Sequence, residues 1–250
     1  MACPLPPELL DHIIDHLHDD PTTLKACCVV AKSWVPRTQS HLFARVEFDA
    51  GQKRPLESWM KIFPDRSNSP AHHTRSLLIR GTPDVAVPVV DIGGWIRAFH
   101  NLVHLHLDDW TWGGHQAPLV PFHGLSPTVR SLRLTSTSFE VFDLVCSFPL
   151  LEDLALVAIL PECGAVRLKT PASSPKLTGS LDLKSLPGNR PAVCRLLDLP
   201  NGLHFRAITT LCLNEEDIGP ATDLVSRCSS TLESFTLYLM GKFPPASMVG

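Results

Sequence analysis

The chain has 250 residues, 44% of them hydrophobic and 19% charged, a composition that excludes a disordered protein and is long enough for one repeat domain or two compact ones. Its formal net charge of −3, with no run or stripe of Lys and Arg, argues against a nucleic-acid partner. MACPLPPELLDH carries no basic run followed by an apolar stretch, and no segment approaches the roughly 18 consecutive apolar residues of a membrane span, so no membrane partner and a cytoplasmic or nuclear location are expected.

Eight cysteines would allow disulfides, but Cys27 and Cys28 are adjacent and Cys3, Cys146, Cys163, Cys194, Cys212 and Cys228 are scattered. Without a secretory signal they read as reduced, mostly buried thiols. No CxxC pair occurs, so neither a structural zinc site nor any cofactor is expected. Charge is unevenly shared. Residues 1–50 hold Glu8, Asp11, Asp15, Asp19, Asp20, Glu47 and Asp49 against Lys25, Lys32, Arg37 and Arg45, which accounts for the whole net charge. Two modules are expected.

The first begins with Pro6, Pro7 and Glu8, residues suited to a first helical turn whose N–H groups have no intrahelical partner. Leu9, Leu10, Ile13, Ile14 and Leu17 then form an apolar stripe opposite Asp11, His12, Asp15 and His16. His12 and His16, four apart, lack a third metal ligand and read as solvated. Asp20 and Pro21 signal a second helix through Leu24, Ala26, Cys27, Cys28, Val29, Val30 and Ala31, apolar almost all round. Val35 and Pro36 open a third, ending near Leu42 and Phe43, with Trp34 at the junction. Three helices in about 40 residues cannot hide this much apolar surface among themselves, so the next domain or another protein must cover it.

The ordered set Leu5-Pro6-x-Glu8-Leu9-x3-Ile13-x3-Leu17, then Leu24 and a Val-rich helix closing on Lys32-Ser33-Trp34, resembles an F-box. The run through His41-Leu42-Phe43 is similar to the form found in mushroom-forming fungi, although Ala31-Lys32 stands where many members have Cys-Arg or Cys-Lys. The resemblance covers about a fifth of the chain. It implies a three-helix domain over residues 1–48 that docks on the Skp-family adaptor of a cullin–RING ubiquitin ligase. By position it implies Leu5, Pro6, Leu9, Ile13, Ile14, Leu17, Leu24, Val29, Val30 and Trp34 as the adaptor-facing residues.

Residues 49–73 read as a linker or a first irregular repeat. From residue 74 to 250 one unit recurs: SLLIRG, HLHLDD, SLRLTS, DLALVA, SLDLKS, TLCLNE and SFTLYL. The first apolar residues, Leu77, Leu105, Leu132, Leu154, Leu181, Leu211 and Phe235, recur every 22 to 30 residues, close to the roughly 20–29 of leucine-rich repeats. Segments with helical leanings lie between, at 91–100, 139–147, 192–197 and 221–228. The expected class is therefore α/β: three N-terminal helices, then a solenoid with parallel strands on its concave face and helices on its convex face. The repeats are degenerate, because Trp110, Thr137, Ile159, Leu186, Glu216 and Met240 replace the customary turn Asn or Cys. Residues 159–176 read as a loop or extra hairpin. MGKFPPASMVG after the last strand is not a polar capping repeat, so no C-terminal cap is expected.

Alternate strand residues should face into the arc and form the protein-substrate surface: His104, His106, Asp108, Arg133, Thr135, Asp182, Lys184 and Asn214, with Trp110 on an adjoining loop. The same reasoning places Ser76, Leu78, Arg80, Thr210 and Cys212 there. No GxSxG, HExxH, P-loop or GxGxxG occurs, so no catalytic residues and no enzyme are expected. The resemblance implies a substrate receptor of the ligase, reaching cullin and RING subunits through the adaptor. The other reading is a non-catalytic repeat scaffold whose helices only cap the solenoid.

Overall fold

The computed structural model describes residues 6–49, 55–62, 69–81, 96–109, 128–136, 145–158, 175–184, 190–199, 202–212 and 217–240. Three helices come first: α1 (Pro7–Asp15), α2 (Pro21–Val30) and α3 (Val35–Leu42), with a 3-10 turn at Lys32–Trp34. Their start signals act as expected. Pro7 opens α1 with Glu8 in its first turn, and the Asp20 carboxylate caps α2 by accepting from the backbone N–H groups of Thr22 and Thr23 at 3.0 Å each. The helix ends at Val30 because Ala31 turns extended, at φ −152° and ψ 142°.

Eight strands follow, β1 (Arg45–Asp49), β2 (Ser76–Arg80), β3 (His104–Asp108), β4 (Ser131–Thr135), β5 (Asp153–Val157), β6 (Ser180–Lys184), β7 (Ala207–Cys212) and β8 (Ser234–Leu239). They form one sheet in chain order, every neighbouring pair parallel. Each strand lies beside its predecessor, so the chain advances one coil at a time. Described helices outside the first unit are α4 (Pro55–Ile62), α5 (Arg190–Leu197) and α6 (Ile218–Cys228), with a 3-10 turn at Pro70–His73. The last two match the helical segments expected at 192–197 and 221–228.

One face of the sheet is covered and the other open, which is why the strands alternate instead of reading as continuous apolar runs. Val46, Leu77, Leu105, Leu132, Leu154, Leu181 and Ile208 stack in register as one buried row, and Phe48, Ile79, Leu107, Leu134, Leu156 and Leu183 form the next. A second regularity lies ahead of the strands. Ile96-x2-Phe99-x2-Leu102 leads into Leu105 just as Val145-x2-Phe148-x2-Leu151 leads into Leu154, and all eight side chains are buried. These residues turn the chain from the covering layer into the sheet and fill the space between them.

Three expectations need correction. The sheet begins at Arg45, so Arg45-Val46-Glu47-Phe48-Asp49 is a strand that starts inside the span expected for the helical domain and runs into the one expected as a linker or first irregular repeat. The seventh strand is AITTLC, with Ile208, Thr210 and Cys212 buried, where the sequence pattern pointed to Leu211 as the first inward residue. That displacement is odd-numbered and reverses the faces, so Thr210 and Cys212 belong to the covered side while Thr209 and Leu211 take the open one. Leu78, expected on the open face, points there but is buried. The loop expected at 159–176 falls almost wholly outside the described residues, as does any segment after Met240.

Backbone strain recurs at one place in the coil. Asp109, Ser136 and Ala158, each directly after a strand, hold φ of 53°, 50° and 51°, and their N–H groups donate to Thr135, Val157 and Lys184 carbonyls of the next strand. The turn survives without an Asn or Cys because the backbone bond to the next coil holds it.

Gly179 shows the opposite economy. A Cβ there would stand 2.3 Å from Asp153 Oδ1 and 3.0 Å from the Glu152 carbonyl oxygen. That carboxylate also accepts from the Ser180 N–H at 2.6 Å and hydroxyl at 2.7 Å. Gly179→Ala should therefore cost about 1–3 kcal/mol, the range for displacing a bonded carboxylate and crowding a carbonyl. Urea unfolding checks it; an unchanged midpoint would show that the coil junction yields freely.

Candidate recognition surfaces

In the helical unit the described apolar side chains that are buried are Ile14, Leu24 and Cys27, with Thr38 beside them. Thr38 spends its hydroxyl on the Trp34 carbonyl at 2.7 Å. The sheet's continuous core starts at Val46, Phe48 and Ala71, with Phe43 and Trp59 partly buried against it, and does not include the three helical residues. The unit is joined to the rest chiefly where α3 meets the Pro70–His73 turn. It does not plug the end of the sheet core.

Much apolar surface is consequently left over. Leu9 and Ile13, one turn apart on α1, are 50% and 47% exposed, and Val29 and Val30 at the end of α2 are 85% and 65% exposed. Pro6 is exposed, Leu17 and Trp34 are partly so, and Leu5 lies outside the described residues. Ile14 and Leu24 are corrected here: both are 1% exposed and support the unit from within, so neither can face a partner. The α1 stripe is thus divided, Ile14 inward and Leu9 with Ile13 outward.

Asp15 fixes α1 to α3. Its carboxylate accepts from Arg37 Nε and Nη2 at 2.5 Å each and meets His41 Nε2 at 2.7 Å. The Arg37 guanidinium first, then His41, holds the Asp15 carboxyl well below its ordinary value of 3.8. Because the folded-state value is the lower one, the stability this contact contributes is present above the ordinary carboxylate value and is lost as pH falls through the folded one. Asp15→Asn should melt lower than the parent at neutral pH, and the two melting curves should converge in strong acid. Parallel curves across that range would remove the role.

His12 and His16 stack edge to face with their Nε2 atoms 3.3 Å apart. No group of three or more potential metal ligands exists among the described residues.

The open face of the sheet presents three columns across the strands. The middle one reads Glu47, Leu78, His106, Arg133, Ala155, Asp182, Thr209 and Thr236; the next reads Asp49, Arg80, Asp108, Thr135, Val157, Lys184, Leu211 and Tyr238. Register brings His104, His106 and Asp108 directly beside Ser131, Arg133 and Thr135. His106 Nε2 and Thr135 Oγ1 are 3.0 Å apart. Burial pushes the His106 imidazole below its ordinary value; Asp108 opposes this, and Arg133, Arg80 and Arg45 reinforce it. Arg80 pairs with Glu47 and lies 3.9 Å from Asp108.

Asp182 and Lys184 form a separate pair at 3.1 Å on β6. They are parted from the β3–β4 group by β5, which shows Ala155 and Val157. The second carboxylate oxygen of Asp182 is buried without a hydrogen-bond partner among the described residues. Asn214 and Trp110 lie outside the described residues. Sequence reading missed Arg45 and Glu47 because β1 lacks the Leu-x-Leu core of the other strands, although its polar–apolar alternation was there to be seen.

This face mixes both charge signs with small polar groups, so it suits an extended polar partner more than an apolar ligand or a polyanion. No helix among the described residues is long and apolar enough to cross a membrane. Comparison with protein-family models, with curated proteins and with solved structures finds no match.

Proposed function

We propose that this chain is a substrate receptor of a Skp–cullin–F-box ubiquitin ligase, a cytoplasmic or nuclear protein that docks through its helical unit and holds a protein target against the open face of its sheet. The sheet is read as a degenerate leucine-rich-repeat solenoid with that face concave. One observation carries the proposal: Leu9, Ile13, Val29 and Val30 remain exposed on a unit that neither buries them itself nor presses them on the sheet. Single exposed apolar residues need no explanation, but such a set on two short helices marks a docking edge. Pro6, Leu17 and Trp34 extend it. The resemblance of this stretch to an F-box names the occupant as a Skp-family adaptor, and through it the cullin and RING subunits.

In this reading the chain has no catalytic group. It raises the local concentration of a target lysine beside a charged conjugating enzyme, which performs the transfer. His104, His106, Asp108, Arg133 and Thr135 form one recognition cluster and Asp182 with Lys184 a second, each offering donors and acceptors in fixed register. Co-expression with a Skp-family adaptor and a cullin tests the function. A stoichiometric complex that survives gel filtration is expected. A chain that elutes alone, folded and soluble, would sink the proposal and favour a scaffold that works without the ligase.

A further inference from the structure

We propose that the cleft between α3 and the N-terminal rim of the sheet is a binding site for a phosphate dianion, with Arg75 as its principal cation. The cleft encloses about 780 Å³, and its lining includes Arg37, His41, His72, His73, Arg75 and Arg130 but no carboxylate among the described residues.

The rim explains why. The residue just ahead of each strand occupies one repeating place: Ala44, Arg75, Val103, Arg130, Glu152, Gly179, Arg206 and Glu233. Each of the first seven accepts on its carbonyl the N–H of the next, at 2.7 to 3.0 Å. Side chains at this place therefore stand in a row about 4.8 Å apart, the spacing between strands. Arg130 is followed in the row by Glu152, with which it is ion-paired, and Arg206 by Glu233, 4.0 Å away. Arg75 is flanked by Ala44 and Val103. Two of the three rim arginines are answered by an acid on the next coil, and Arg75 makes no ion pair among the described residues.

The other cations of the cleft are already balanced in part. Arg37 and His41 share Asp15 across the helical unit, and Arg130 has Glu152. Asp15 and Glu152 hold their partners in place but are not among the residues that line the cleft. His72 and His73 add two imidazoles at the α3 end. A guanidinium fork without an acceptor among the described residues, lining the same cleft as Arg37 and Arg130, matches a tetrahedral dianion better than a single carboxylate. Both a free phosphate and a phosphorylated side chain supply that chemistry.

Equilibrium binding to the full chain tests this at constant ionic strength with three probes: sodium phosphate, a degenerate peptide pool with a fixed central phosphoserine, and the same pool with serine. At least one phosphate-bearing probe should bind about tenfold or more tighter than the serine pool, the ratio that charge-assisted bonds to a guanidinium imply. Preference for inorganic phosphate identifies a free phosphate as the ligand; preference for the phosphoserine pool identifies a protein segment. Arg75→Ala should lose that binding, Arg75→Lys should retain part of it, and Arg206→Ala should leave it unchanged. Equal binding of all three probes, or undiminished phosphate binding by both Arg75 variants, overturns the site. Arg75 is exposed, so neither substitution should disturb folding. The measurement needs no adaptor, so its failure leaves the ligase reading untouched.

Discussion

Leu9→Asp combined with Ile13→Asp is expected to abolish capture of a Skp-family adaptor while lowering the melting temperature by only about 4–8 °C. Both side chains are about half exposed, so complete coverage by a partner would gain only the remaining half of each, about 1 kcal/mol apiece. Placing two carboxylates in that contact costs more than the lost burial, because each must give up water without a counter-charge. Together these effects weaken the complex by two powers of ten or more, about 3 kcal/mol or above. In the free chain the same carboxylates stay in water, so the fold loses only the half of each side chain that it already buries, about 1 kcal/mol apiece. Leu24→Ala is the informative contrast. That side chain lies inside the unit, so its truncation should cost about 2–5 kcal/mol of stability and release the adaptor only by loosening α2. Retention of the adaptor by the double variant would show that α1 is not the docking edge.

The second large effect belongs to the core. Phe148→Ala should destabilise the chain by about 3–5 kcal/mol, since the ring is fully buried and sits in the turn that delivers Leu151 and Leu154 to the sheet. For a protein of this size that corresponds to a fall in Tm of about 6–20 °C. In a fold that advances coil by coil the damage should spread only to neighbouring coils, because each coil is supported by the two beside it. Hydrogen exchange would then show lost protection in β4, β5 and β6 while β1 and β2 keep theirs. Uniform loss across all strands would indicate a single cooperative unit.

Much of the fold was legible in the residues. Asp20 and the prolines at 7, 21 and 36 gave helix starts that the structure keeps, because caps and proline act through backbone geometry within one turn. Leu-x-Leu alternation gave six of the strands, with β3 to β6 displaying the expected residues on the open face. The β7 displacement arose where Ile208, Thr209, Thr210, Leu211, Cys212 and Leu213 offer two overlapping alternations. Sequence cannot choose between them, since either puts apolar residues on one face. The choice is made by pairing with β6, which sets Ile208 beside Leu181 and buries a threonine in place of a leucine.

The recognition surfaces divide in the same way. Composition and periodicity alone established a helical module with surplus apolar surface followed by stacked strand-containing units, because both follow from local patterns of period 3.6 and period 2. Which members of the α1 stripe face outward depended on where α3 packs, through the contact of Asp15 with Arg37 and His41. Which arginines of the rim are answered by acids depended on the register between coils some 20 to 30 residues apart. Neighbourhood of that kind exists only once the chain has folded back on itself, and so it is decided by tertiary structure.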